Sequence, residues 1–227
     1  MVSDPAPELF AAYSATRARM ASLAERLSPT DLRRTVPACP SWTVFDLMAH
    51  VVSMPAAIGR GERPPGTVTE WLQSLVEARR DQTVGELTEE WLTLDGAISS
   101  ILNGPGGVLF GDLAVHEHDV RGAVGAPDHS ALEVEVMLPR TLAAFASPLR
   151  AAGLGAIEVR HGDRTWRSHD GDPGWTLDVS PWEAVRAVNS RRTPDELRAR
   201  FHQGDVEPYL AILDAHLPLP TTSLGEQ

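Results

Sequence analysis

Apolar residues recur at spacings of three and four along the first half of the chain. Between Pro5 and Leu27 they are Leu9, Tyr13, Met20, Leu23 and Leu27, with Arg17, Arg19 and Glu25 mostly elsewhere around the axis, which predicts a first amphipathic helix. Ser28-Pro29 breaks it, and Thr30 to Arg34 reads as a short helical turn capped by Thr30. Pro37 and Pro40 exclude regular structure up to Thr43, which stands three residues before Asp46 and opens a second helix as a capping box would. Val44, Leu47, Met48 and Val51 make its apolar face, and His50 lies about two turns in, beside that face. GRGERPPG, residues 59–66, marks an exposed loop. A third helical region carries Trp71, Leu72, Leu75 and Val76 to about Arg80 and then, after a break, Leu87, Trp91, Leu94, Ile98, Ile101 and Leu102. The run from Asn103 to Gly107 stops it. Leu113, Val120 and Val124, with Ala123 beside them, predict a fourth helix entered through Gly111 and ending near Gly125-Ala126-Pro127.

Beyond Pro127 the pattern changes. Ala131 to Ala152 is an apolar helix that Pro139 and Pro148 can bend or split. Ala156 to His161, Arg164 to His169 and Trp175 to Val179 are short runs rich in Val, Ile, Thr and Trp, separated by turn residues, and predict a small antiparallel sheet. Further helices are expected from Ser180 to about Asn189, from Thr193 and from Val206 to Leu217. The fold class is therefore α+β: a four-helix bundle over residues 1–126, a smaller α+β domain over 127–218 and a flexible tail over 219–227.

Composition narrows the function. At 227 residues, 42% hydrophobic and 22% charged, the chain reads as a soluble globular protein. A formal charge of −11 argues against nucleic acid or an acidic membrane as partner, since both are polyanions. No leader pattern opens the chain and no run of about 18 apolar residues occurs, which points to a cytoplasmic location. The single cysteine, Cys39, excludes an internal disulfide and any cysteine-built zinc site, and reads as an inert small hydrophobe rather than a nucleophile.

Candidate chemistry concentrates in GDLAVHEHDVRGAVG, residues 111–125. On a helix, Asp112, His116 and Asp119 form one stripe, and a carboxylate and an imidazole one turn apart can serve one divalent metal. On a strand, His116 and His118 would instead point the same way as a His-x-His pair. Two plainer readings stand beside these: Asp112 as an N-cap, and His116 as a core histidine. His50, on the second helix, can face the bundle interior, where ligands from two helices converge.

CPSWTVFDLMAHV, residues 39–51, resembles the signature of the mycothiol-dependent maleylpyruvate isomerase family, whose N-terminal domain is a DinB-like bundle. GDLAVHEHDVRGA resembles that family's second metal motif, and residues 166–205 resemble its second domain, related to sterol-carrier-like folds. The resemblance implies a divalent metal, usually zinc, held by His50, Asp112 and His116, with Asp112 standing where the isomerases typically carry Glu. It implies mycothiol as cofactor, its thiol activated by the metal for addition to a small electrophilic substrate, in a cis-trans isomerase or a thiol S-transferase. Asp119 is a candidate for orienting an imidazole or binding a ligand, and Arg121 and Arg192 for clamping a substrate carboxylate. The expected partners are then the low-molecular-weight thiol and the electrophile, with the chain a monomer or homodimer. A DinB-like scaffold without chemistry, acting as a small-molecule binding or regulatory module, is the alternative.

Overall fold

The computed structural model describes residues 5–103, 107–127, 131–200 and 204–225. The chain is α+β, mostly helical with two small sheets, and divides into two compact units, Met1–Asp128 and His129–Gln227. Among the described residues, no helix is long and apolar enough to cross a membrane.

In the first unit, α1 (Pro5–Ala24) turns Leu9, Tyr13, Met20 and Leu23 inward. Arg17 is buried with them and ties α1 across the unit, donating to the Trp91 carbonyl at 3.1 Å and to Asp95 at 2.7 Å. The short α2 (Pro29–Leu32) is capped by Ser28, not Thr30: Ser28 and Asp31 close a capping box, and Pro29 takes the first helical position, where its fixed φ fits and no N–H is needed.

The segment where prolines were expected to exclude regular structure is a two-stranded hairpin. β1 (Thr35–Val36) pairs antiparallel with β2 (Cys39–Thr43), Thr35 opposite Thr43 and Val36 opposite Cys39. One step on β1 thus spans four on β2, so Pro40, Ser41 and Trp42 bulge out of the ladder, where a residue without an N–H is tolerated. Thr43 then caps α3 (Val44–Gly59) in the expected capping box with Asp46, and Val44, Leu47, Met48 and Val51 are buried as expected.

The third helical region is three helices rather than one interrupted helix: α4 (Val68–Glu77), α5 (Val84–Leu92) and α6 (Asp95–Leu102). Thr83 and Glu86 restart the chain as a capping box at the expected break, and a second break falls at Thr93-Leu94. The fourth helix, α7 (Gly107–Val124), begins four residues before Gly111; residues 104–106 of the expected stop lie outside the described residues. It ends at Gly125, whose φ of 68° lets the Ala126 and Gly125 N–H groups turn back onto the Arg121 and Gly122 carbonyls. α3 packs against α4, α5, α6 and α7, and α1 against α6 and α7, so α3 lies at the centre of the unit.

In the second unit the apolar segment after Pro127 splits at Phe145 into α8 (Ala131–Ala144) and α9 (Ala146–Ala151). Pro139 stays inside α8, and the break serves Pro148, which lies in the first turn of α9. The sheet of β3 (Ala156–His161), β4 (Arg164–Arg167) and β5 (Pro173–Asp178) has the order β4-β3-β5 and is mixed, not antiparallel: β3 pairs antiparallel with β4 but parallel with β5. The glycines read as a hairpin signal instead let the chain cross the start of β3. A Cβ on Gly155 would stand 2.7 Å from the Asp172 carbonyl and the Gly174 nitrogen. α10 (Pro181–Val188), opened by Ser180 as expected, packs against α8, and α11 (Pro194–Ala199) and α12 (Glu207–His216) follow. In the tail, Leu219 N–H donates to Asp214 at 2.9 Å and Ser223 Oγ to Glu196 at 2.7 Å.

Glu158, fully buried on β3, accepts from Arg160 Nε at 2.7 Å and from Arg167, its cross-strand partner. Burial opposes its charge, but the two guanidiniums outweigh that and hold its carboxyl below the usual carboxylate range. The pairing therefore stabilises the fold above the unfolded value near 4.5 and is lost as pH falls through the lower folded value. Because both arginines are half-exposed, Glu158→Gln is expected to cost only about 1 kcal/mol at neutral pH, a deficit that shrinks as pH falls from the unfolded value through the lower folded one in urea melts run across pH.

Candidate metal centre

Helix α3 begins at a defined residue because Thr43 Oγ1 accepts from the Asp46 N–H at 3.2 Å while Asp46 accepts from the Thr43 N–H at 2.9 Å. Counting from that cap sets His50 about two turns along, where it is 2% exposed among Leu47, Met48 and Val51. On α7 the helical period places Asp112, His116 and Asp119 on one stripe. Because α7 packs on α3, the two sets meet.

His50 Nε2 lies 3.2 Å from Asp112 Oδ2, and His116 Nε2 lies 3.3 Å from Asp112 Oδ1. The two imidazoles are perpendicular, with ring centres 5.2 Å apart. Their ligand atoms and one Asp112 oxygen lie within 4.8 Å of one another, a spacing that three donors around one small cation would need to close only slightly. His116 Nδ1 is 2.9 Å from Asp119 Oδ2, an acceptor that favours a proton on Nδ1, and Nε2 is turned towards Asp112. Two imidazole nitrogens and one carboxylate, with a fourth position open, suit a borderline divalent ion such as zinc.

Burial opposes ionisation of Asp112, but the charges of His116 and His50 and their hydrogen bonds outweigh it and hold its carboxyl well below the usual carboxylate range. His116 is the counterpart. Burial disfavours its charged form, while Asp112's charge and hydrogen bonds with Asp112, Asp119 and Cys39 push it well above the usual histidine value.

Of the plainer readings of this segment, the N-cap role of Asp112 does not hold, while His116 is buried with a partner at each ring nitrogen, as a core histidine would be. Asp112 is in the second turn of α7, not at its N-cap, and the backbone is helical, so His116 and His118 do not share a face. His118 is buried but belongs to neither group of potential metal ligands among the described residues. Nor is Arg121 brought to the cluster. It lies about half a turn round α7 from the Asp112 stripe and donates to Glu117 at 3.0 Å. Arg192 lies in the second unit, where its Nε and Nη2 grip the Glu183 carboxylate at 2.9 and 2.6 Å.

Several neighbours of the cluster were not singled out in the sequence. The Trp42 ring lies 4.9 Å from that of His50, and its Nε1 donates to Gln73 Oε1 at 2.9 Å. His50 Nδ1 is buried with no hydrogen-bond partner among the described residues, so packing under Trp42 takes over the orienting role that a second acceptor usually plays. Tyr13, fully buried, accepts from Trp91 Nε1 at 3.0 Å; burial pushes its hydroxyl up, and Asp112's charge adds to the shift. Cys39, read as inert, is half-buried beside His116 and Asp119. The position of Trp42, one residue before a helix cap and eight before a histidine, was visible in the sequence, but the hairpin that folds it back was not.

No curated protein and no solved structure matches the chain. A family model does: that of the mycothiol maleylpyruvate isomerase N-terminal domain matches residues 13–143, more than half of the chain and a span that contains the whole cluster. On that match the chain belongs to the mycothiol maleylpyruvate isomerase N-terminal domain family.

Proposed function

We propose that the protein is a metal-dependent enzyme that activates mycothiol for addition to an electrophilic small molecule, as a cis-trans isomerase or an S-transferase, with zinc held by His50, Asp112 and His116. The observation that carries this reading is the convergence of those three side chains from α3 and α7, with Asp119 fixing the ring of His116. When bound, such an ion supplies a thiol in its open position with a lowered pKa, and hence a nucleophile at neutral pH. The chain's own residues prepare for it. Asp112 is held ionised as an oxygen donor, Asp119 keeps the proton at His116 Nδ1, and Trp42 packs over His50. The family match supports mycothiol as the thiol. We read the first unit as a DinB-like bundle carrying the metal and the second as a sterol-carrier-like domain, with Arg192 there as a candidate contact for a substrate carboxylate.

Calorimetric titration of mycothiol into zinc-loaded and chelator-stripped protein tests the reading. Binding to the loaded form alone is expected, followed by turnover of maleylpyruvate or of another conjugated electrophile. Equal binding by both forms, or by neither, would leave a binding module. Trp42→Ala is expected to weaken zinc binding by about tenfold in chelator competition, and Trp42→Phe much less, since only the ring face bears on His50.

A further inference from the structure

We propose that Cys39, His116 and Asp119 form a second cation site, selective for thiophilic divalent ions, whose occupancy excludes the ion at His50, Asp112 and His116.

One atom each of Cys39, His116 and Asp119 lies within 4.8 Å of the other two, as in the first group. The two groups share His116. Asp112 faces its Nε2, Asp119 faces its Nδ1 at 2.9 Å, and Cys39 also makes a hydrogen bond with the imidazole. They differ in softness. The first offers two nitrogens and an oxygen; the second adds the chain's only sulfur nucleophile, a donor that favours ions such as cadmium.

Exclusion follows from the chemistry of one neutral imidazole. Such a ring carries one lone pair, and binding the ion beside Cys39 and Asp119 uses it and releases the thiol proton to solvent. None is left for an ion held by His50 and Asp112. This exclusion rests on the zinc reading above; the thiol site itself does not.

The test is a titration of cadmium chloride into full-length, chelator-stripped protein, followed by the thiolate-to-cadmium charge-transfer absorption in the ultraviolet. The band is expected to saturate at about one equivalent. It is expected to be missing in Cys39→Ser and Cys39→Ala, and to need roughly tenfold more cadmium in Asp119→Asn, all three variants retaining the wild-type circular dichroism. In zinc-loaded wild type the band should grow in step with zinc released to a chromogenic chelator, whereas Cys39→Ser should keep its zinc at the same cadmium concentration. A wild type with no band, or an Asp119→Asn variant with unchanged cadmium affinity, would overturn the site. A band that forms while zinc is retained would overturn the exclusion. Zinc content of Cys39→Ser separates the two ideas: if that variant and the wild type both hold no zinc, the first centre fails while the cadmium band still decides the second.

Discussion

His116→Ala empties the metal centre: elemental analysis of the zinc-reconstituted variant is expected to fall from about one ion per chain to near zero, with far-UV circular dichroism still helical. The expectation comes from where His116 stands. It is the member that meets Asp112 through one nitrogen and Asp119 through the other, so its loss removes a ligand and the link to the residue that orients it. His50 and Asp112 remain, but two donors hold a divalent ion weakly. Asp119→Asn keeps all three ligands and changes only how His116 is held. It is expected to retain one ion with affinity weakened roughly tenfold, measured by chelator competition. Equal retention of zinc by His116→Ala and the wild type would place the ion elsewhere.

Glu117→Ala is expected to destabilise the first unit by about 3 kcal/mol in urea unfolding while leaving zinc content at about one per chain below the transition. Glu117 is buried on the flank of α7 away from the Asp112 stripe, where Arg19 of α1 donates to both its oxygens at 2.9 and 2.7 Å and Arg121 to one at 3.0 Å. Truncation removes three charge-assisted hydrogen bonds, two of which join α1 to α7 through a buried carboxylate, and their loss is the source of the large effect. The same helix thus carries a ligand face and a clamping face, and the two variants separate them. Loss of zinc in Glu117→Ala at a temperature where the variant remains folded would show that the faces are coupled.

The pairing of Glu117 with Arg121 was within reach of the sequence, because residues four apart on a helix are neighbours and the charges are opposite. The local signals that did carry through are short-range ones: the Thr43–Asp46 box and the Asp112–His116–Asp119 stripe depend on nothing beyond the helix they belong to. What the sequence hid is tertiary. The hairpin through Pro40 needs a bulge that local preference disfavours, and it is this hairpin that carries Cys39 to His116 and Trp42 to His50. The parallel pairing of β3 with β5 depends on a close backbone crossing at Gly155 and Gly174, two glycines that a turn explains equally well. Arg192 meets Glu183 of α10 from nine positions along the chain, beyond the end of that helix, a separation at which helical spacing says nothing.

His50 and Asp112 are 62 positions apart along the chain. An unfolded polypeptide has no means of keeping them together, so the affinity of the folded protein for an ion appears in full as resistance to unfolding. By mass action, free ion at a hundred times its dissociation constant adds about 2.7 kcal/mol. The melting temperature is therefore a ranking instrument: heating the protein against a panel of divalent salts orders them by affinity before any substrate is known.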